Sequence, residues 1–308
     1  MNCAPISIPV YKRPGHLRKC IDALLANELA CQTVLYIYSD APSPGDEREV
    51  KLVRQYISQI RGFKDVIIIE QQSNKRLSNI IESIEGPLSI HPKLIYIEED
   101  LVVSNAFLQF MNDSLDYYEN NTRVFSITGF TQPPCVNPSS FTVSASSIFT
   151  AWTCGLWRKK YSIYKDFYSR EALHERLAKS ITASIKMIVD HTFQMYIYSY
   201  LLSKRGELTP DWMIGYYLTE NNLLQVFPPV PFASQTGLDG SGWHSTLDSR
   251  FDYALGHAAS VHLISEFDDL RVRKNANQIK AFHGLGFFDD MKFVIKCAIK
   301  IALGRKII

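Results

Sequence analysis

No two of the six cysteines, Cys3, Cys20, Cys31, Cys135, Cys154 and Cys297, stand at the close C-x-x-C spacing of a zinc or thioredoxin-type site. Scattered reduced thiols are expected instead. Charge of one sign is also missing. With 33 Lys plus Arg against 31 Asp plus Glu, the formal charge is only +2, which argues against a sequence-independent nucleic-acid binder. No nucleic-acid partner is expected. The start lacks the basic residues, apolar run and small-residue cleavage site of a signal peptide, so export by that route is not expected. The most apolar late stretch, residues 287–303, is broken by Lys292, Lys296 and Lys300. It falls short of the roughly 20 uninterrupted apolar residues of a spanning helix, and no transmembrane segment is expected. Internal repeats and low-complexity tracts are absent as well.

What the chain does have is apolar bulk and a clear rhythm. Its 308 residues are 46% hydrophobic, enough for a sizeable core in one large domain or two closely joined ones. Residues 4–10 read as a strand, broken by Tyr11-Lys12-Arg13-Pro14-Gly15 before a helix whose Leu17, Ile21, Leu24 and Leu25 share one face. Strands follow at 33–38, 66–69 and 93–97, with helical stretches at 46–60, 77–84 and 105–118 between and after them. This alternation predicts a mainly parallel α/β sheet, in which ligands lie beyond the carboxyl ends of the strands. Tyr11 to Arg13, Asp40 and Glu98-Glu99-Asp100 all fall at such ends. After a strand at 124–128 the pattern loosens into a Pro-rich loop at 132–138 and an aromatic segment at 149–164. A helix is expected at 173–202 and a glycine-rich loop at 237–244.

Three consecutive carboxylates after an apolar strand repel one another unless a cation or hydrogen-bond donors meet them. Magnesium or manganese suits such a turn, because hard ions take carboxylate oxygens and leave positions open for diphosphate oxygens. A solvated acidic turn is the other reading, and it stands level with the first.

The run Ile95-Tyr96-Ile97-Glu98-Glu99-Asp100-Leu101-Val102-Val103-Ser104 resembles the strand, acidic DXD-type motif and following turn of GT-A glycosyltransferases. It is particularly similar to the N-acetylglucosaminyltransferase that initiates complex N-glycans, and to bacterial family-2-like sugar transferases of polysaccharide clusters. Pro9-Val10-Tyr11-Lys12-Arg13-Pro14 looks like the family's first nucleotide-binding loop and Tyr38-Ser39-Asp40 like its second. The resemblance implies a GT-A fold: a Rossmann-like, mainly parallel central sheet flanked by helices, with a less regular acceptor-side half. It implies a catalytic domain over 1–265, divided into a nucleotide-sugar half at 1–130 and an acceptor half at 131–265, before a tail at 266–308. It implies that Asp40 faces the uracil, Arg13 the diphosphate, Glu99 the ribose side and Asp100 a divalent metal, Mn2+ or Mg2+. Glu98 and Arg76 would join Pro9, Val10 and Tyr11 around the donor. Two departures stand out: Glu99 gives a longer arm where the closest pattern has aspartate, and Arg76 replaces a usual glycine.

Thr209-Pro210-Asp211-Trp212-Met213 resembles the family's acidic-Trp-Met segment, which makes Asp211 the catalytic base of an inverting reaction. Asp211 also reads as a helix N-cap, and the two roles are compatible. Gly237-Leu238-Asp239-Gly240-Ser241-Gly242-Trp243-His244 resembles the family's mobile loop, with His244 beside the diphosphate or metal; a purely structural histidine stands level with this. Trp152 and Trp212 are the acceptor-side aromatics, core packing being the stronger alternative for Trp152.

The tail carries a basic amphipathic helix over 287–303, with Arg305 and Lys306 beyond it. It suits either an anionic membrane surface, through residues 287–306, or docking on the protein's own core. The expected protein is a cytoplasmic enzyme, peripheral on the inner face of the membrane if that helix binds lipid. It would move a sugar from a nucleotide-sugar, UDP-sugar favoured, to a glycan or lipid-linked glycan in surface polysaccharide synthesis. The alternatives are a catalytically inactive nucleotide- or sugar-binding scaffold, and a sugar nucleotidyltransferase. The second would carry a Gly-rich phosphate loop after its first strand, which Tyr11-Lys12-Arg13-Pro14-Gly15 is not.

Overall fold

The computed structural model describes residues 3–167, 210–242, 248–251, 254–256 and 261–284. The expected helix at 173–202, the amphipathic stretch at 287–303 and His244 lie outside the described residues.

Strands and helices alternate through the first third as β1 (Ile6–Val10), α1 (Pro14–Leu25), β2 (Val34–Ser39), α2 (Glu47–Ile57), β3 (Asp65–Glu70), α3 (Arg76–Ile90) and β4 (Lys93–Ile97). β1 lies between β2 and β4, parallel to both, and β3 extends the sheet beside β2. The chain continues as β5 (Leu101–Val103), α4 (Phe107–Tyr117), β6 (Val124–Ile127), β7 (Ser144–Ser146), β8 (Thr153–Trp157) and α5 (Arg158–Phe167). Beyond come α6 (Pro210–Glu220), β9 (Leu224–Phe227), β10 (Ala233–Gln235) and α7 (Asp269–Phe282). Eight strands form one mixed, mainly parallel sheet in the order β3-β2-β1-β4-β8-β6-β9-β7, while β10 pairs antiparallel with β5. This is the helix-flanked α/β sheet that the sequence rhythm predicts.

The local reasons are visible. Pro14 opens α1, where a missing N–H costs nothing, and Leu17, Cys20, Ile21 and Leu24 are buried on one face. Each such leucine or isoleucine contributes about 1.5–3 kcal/mol by leaving water. α3 runs past Ile84, its expected end, through Gly86 and Pro87 to Ile90. A Cβ at Gly86 would stand 2.1 Å from the Tyr38 hydroxyl oxygen, so only a glycine lets α3 lie this close to the Tyr38 side chain of β2.

The later part joins the same sheet. β8 runs antiparallel between β4 and β6, and β9 parallel to β6. The Lys160 ammonium, on α5, donates to the carbonyls of Tyr118, Asn121 and Val124 at 2.9, 2.9 and 2.6 Å and sits over the Trp157 ring. It thereby ties the α4–β6 turn to α5. α7, beyond residue 265, buries Val272, Ala276 and Ile279, and Asn275 Nδ2 donates to Ser144 Oγ and the Ala145 carbonyl of β7.

Candidate active site

β1 and β4 are parallel neighbours, so their carboxyl ends deliver Tyr11 to Arg13 and Glu98 to Asp100 to the same place. Glu98-Glu99-Asp100 forms the turn between β4 and β5. The turn is held from three sides. Glu98 N–H donates to the Trp152 carbonyl at 3.2 Å, Thr236 N–H and Oγ1 donate to the Asp100 carbonyl at 2.9 and 2.8 Å, and Cys20 Sγ approaches the Glu98 carbonyl.

Glu99 and Asp100 are 7% and 6% exposed, so their charges must be met inside the protein. Arg13, the residue just before α1, meets both. Its Nε donates to Glu99 Oε1 at 2.9 Å and its Nη2 to Asp100 Oδ2 at 2.7 Å, while Tyr11 N–H donates to Glu99 Oε2 at 2.9 Å. Burial works against the guanidinium charge, but Asp100 and Glu99 outweigh it and hold Arg13 protonated more firmly than usual. Burial pushes the Glu99 carboxyl up, with Arg13 and the Tyr11 N–H opposing. Glu98 is half-buried, and the Arg13 charge offsets its surroundings only in part. Burial first, then the neighbouring Asp100 and Asp211, push its carboxyl up to about 8.

Asp100 Oδ1 is buried and has no hydrogen-bond partner. A buried carboxylate oxygen left without a donor is the kind of atom that a hard cation satisfies. Among the described residues, no group of three or more His, Cys, Asp or Glu side chains is arranged to hold a metal ion. A metal at Asp100 would therefore take its remaining ligands from a bound diphosphate, water or residues outside the described set. Gly237 stands against the same carboxylate: a Cβ there would lie 2.0 Å from Asp100 Oδ2. The glycine-rich loop thus touches the acidic turn. Asp239 of that loop pairs with His16 of α1 at 3.1 Å, and hydrogen bonds from Ser241, with His16 helping, lower its carboxyl to about 2.

Around this centre, Pro9 is half-buried and Val10 buried in β1, and the Val10 carbonyl accepts from Asp40 N–H at 3.0 Å. Asp40 is buried, and its Oδ1 accepts from the N–H groups of Ala41 and Lys75, joining the end of β2 to the start of α3. Burial raises its carboxyl pKa, and those two N–H donors oppose the rise. Arg76 is the first residue of α3. Tyr11 also uses its hydroxyl, donating to Asp46 Oδ2 at 2.7 Å and accepting from Ser43 N–H.

Asp211 lies in the first turn of α6, close enough to Glu98 to raise that carboxyl's pKa. Trp212 follows it in α6, its side chain outside the described set, as is His244. The half-buried Trp152 packs edge-to-face on Phe130 and Phe251, ring centroids 4.5 and 5.1 Å away. Two features escaped the sequence reading: the Arg13 pairs with Glu99 and Asp100, and the His16–Asp239 bridge. The only local signal for His16 is its place one helical turn after Arg13.

No family model and no curated protein matches the chain in sequence. Among solved structures it is similar to a mannosyltransferase, PcManGT from Pyrobaculum calidifontis, in complex with GDP-Man and Mn2+. Identity there is 11% and the TM-score 0.42, over 70% of this chain and 68% of that one. It is similar to S. aureus TarS at 9% identity and a TM-score of 0.36, over 57% of this chain and 33% of that one. Against TarS 1-349 in complex with UDP the values are 10% and 0.38, over 57% and 54%. The match thus spans about a third to a half of the length of these two TarS chains. Likeness this distant leaves the site's own geometry as the ground for a function.

Proposed function

We propose that the chain is a metal-dependent, inverting glycosyltransferase that takes a nucleotide-sugar donor, UDP-sugar favoured, and transfers its sugar to a glycan or lipid-linked glycan hydroxyl. One observation carries the reading. Asp100 Oδ1 is buried without a hydrogen-bond partner at the turn that the resemblance to GT-A glycosyltransferases assigns to the metal, and Asp211, the base candidate, is near enough to influence the Glu98 carboxyl of the same turn. The setting supports it too, because the acidic turn lies at the carboxyl ends of parallel strands, where α/β sheets bind their ligands.

Each residue has a task in this proposal. Asp100, with its unpartnered Oδ1, holds a divalent ion together with the donor's diphosphate, and His244 is its proposed further ligand. When bound, that ion neutralises charge building on the departing nucleotide diphosphate. Pro9, Val10, Tyr11, Asp40, Glu98, Glu99 and Arg76 line the donor side, and Arg13 offers its fork to phosphate oxygens. Asp211 accepts the acceptor hydroxyl's proton as the new bond to the anomeric carbon forms and the bond to the diphosphate oxygen breaks. Trp152 and Trp212 sit on the acceptor side. A cytoplasmic location, peripheral on the inner membrane face through residues 287–306, is proposed from the sequence alone.

Calorimetric titration of UDP, GDP, dTDP and CMP with and without Mn2+, on the wild type and on Asp100→Ala, tests the donor site. Manganese-dependent binding of one nucleotide, lost in the variant, is expected; no binding by any would remove the assignment. Asp211→Asn should cut transfer by about 10²- to 10⁴-fold while leaving UDP affinity within about threefold. Unchanged turnover in that variant would take Asp211 out of the mechanism.

A further inference from the structure

Arg13 is already committed inside the protein. Both oxygens of Glu99 are taken, one by Arg13 Nε and the other by Tyr11 N–H, whereas Asp100 has one oxygen on Arg13 Nη2 and one buried without a partner. The guanidinium is therefore held at two points, at 2.9 Å by Glu99 and at 2.7 Å by Asp100, whose carboxylates differ in what else they bond. Its Nε bond runs to a carboxylate fixed by the backbone, and its Nη2 bond runs to the carboxylate that faces the candidate metal position. The nearly full burial of Glu99 and Asp100 means that their charged forms need a neutralising cation beside them. A divalent ion on Asp100 would sit within a few ångströms of the guanidinium, and two cations that close in a partly dry site repel strongly.

We propose that Arg13 is an internal cation that stands in for the divalent metal at Asp100 in the donor-free protein, so that metal and nucleotide diphosphate bind as a coupled pair. The inference rests on the metal-dependent donor site proposed above and adds to it how that site fills. With no diphosphate present, Arg13 Nη2 competes with the metal for Asp100. A diphosphate supplies a second anion to which the Nη2 edge turns, with the Nε–Glu99 bond as the pivot, and Asp100 is released to the metal. Each ligand then raises the other's affinity by the same factor, as linkage requires.

The test is Mn2+ binding, read from the electron paramagnetic resonance signal of the free ion, with and without UDP, on wild type, Arg13→Gln and Arg13→Lys. In the wild type, Mn2+ alone binds weakly, and UDP tightens it by about tenfold or more. In Arg13→Gln, Mn2+ alone binds at least about tenfold more tightly than in the wild type, and the coupling to UDP shrinks toward unity. Arg13→Lys keeps a charge without the two-armed fork, so it falls between the two and decides the question should Arg13→Gln fail to fold. Thermal unfolding of Arg13→Gln gives a second readout: Mn2+ alone raises its midpoint more than it raises that of the wild type. If the wild type binds Mn2+ with UDP but Arg13→Gln binds Mn2+ alone no better than the wild type does, the stand-in role is wrong and the donor site survives. If no form binds Mn2+ with or without UDP, the metal-dependent donor site and the stand-in role fall together.

Discussion

Glu98 holds its proton at neutral pH because burial, Asp100 and Asp211 push its carboxyl up to about 8. An unfolded glutamate loses that proton near 4.5. Between those values the folded chain carries a proton that the unfolded chain does not. Stability from this group therefore falls as pH rises through the window and is level above it. Glu98→Gln has no such proton to lose. In metal-free protein, its stability relative to wild type should grow by on the order of 1–3 kcal/mol between about pH 5 and about pH 8. Denaturant unfolding in chelator across that range measures it, and parallel profiles for the two proteins would contradict the assignment. The acidic triplet itself was legible as an abrupt stop after an apolar strand. Its partner was not, because Arg13 lies 86 and 87 residues before the carboxylates it meets, and a guanidinium suits phosphate and carboxylate equally well.

Elements carry their own consequences. The carbonyls of Tyr118, Asn121 and Val124 share one ammonium at the turn between α4 and β6. Burial pushes Lys160 down to about 8, and the nearby Glu119 opposes the fall. Lys160→Met removes the donor and leaves the carbonyls to find water, at a cost of about 1–3 kcal/mol. Chemical denaturation reads that loss directly. The glycine-rich loop offers a sharper test. In Gly237→Ala the added methyl group meets Asp100 Oδ2 and also the Cγ and Cβ of that side chain, so the loop or the carboxylate must move. Such overpacking costs about 1–3 kcal/mol and should also weaken Mn2+-dependent UDP binding, by calorimetry. Retention of full affinity would show that the loop yields without disturbing Asp100. Helices with one apolar face, such as α1, could be read from spacing alone. β5 and β10 could not, because three-residue strands have no period to detect, and the two pair across more than a hundred residues.

At the scale of the whole molecule, one sheet joins the early strands β1 to β4 with the later strands β6 to β9, so both parts of the chain share one platform. Asn275 of α7 reaches Ser144 and Ala145 at the β7 edge, with Val272, Ala276 and Ile279 buried beside it. Asn275→Ala should cost about 1–3 kcal/mol and lower the melting midpoint by roughly 2–4 °C for each kcal/mol, in a single transition. A separate early transition confined to the variant would mean that α7 unfolds independently of the sheet.

The sequence by itself determined the strand–helix rhythm, the apolar faces and the place where three carboxylates end a strand, because these follow from local spacing and local chemistry. Tertiary structure decided what those carboxylates meet. Parallel pairing of β1 with β4 sets Arg13 against Glu99 and Asp100, and the return of the chain through α6 and β10 brings Asp211 and Gly237 to the same turn. A buried charge takes whichever partner the fold brings within reach, and spacing along the chain does not encode that distance.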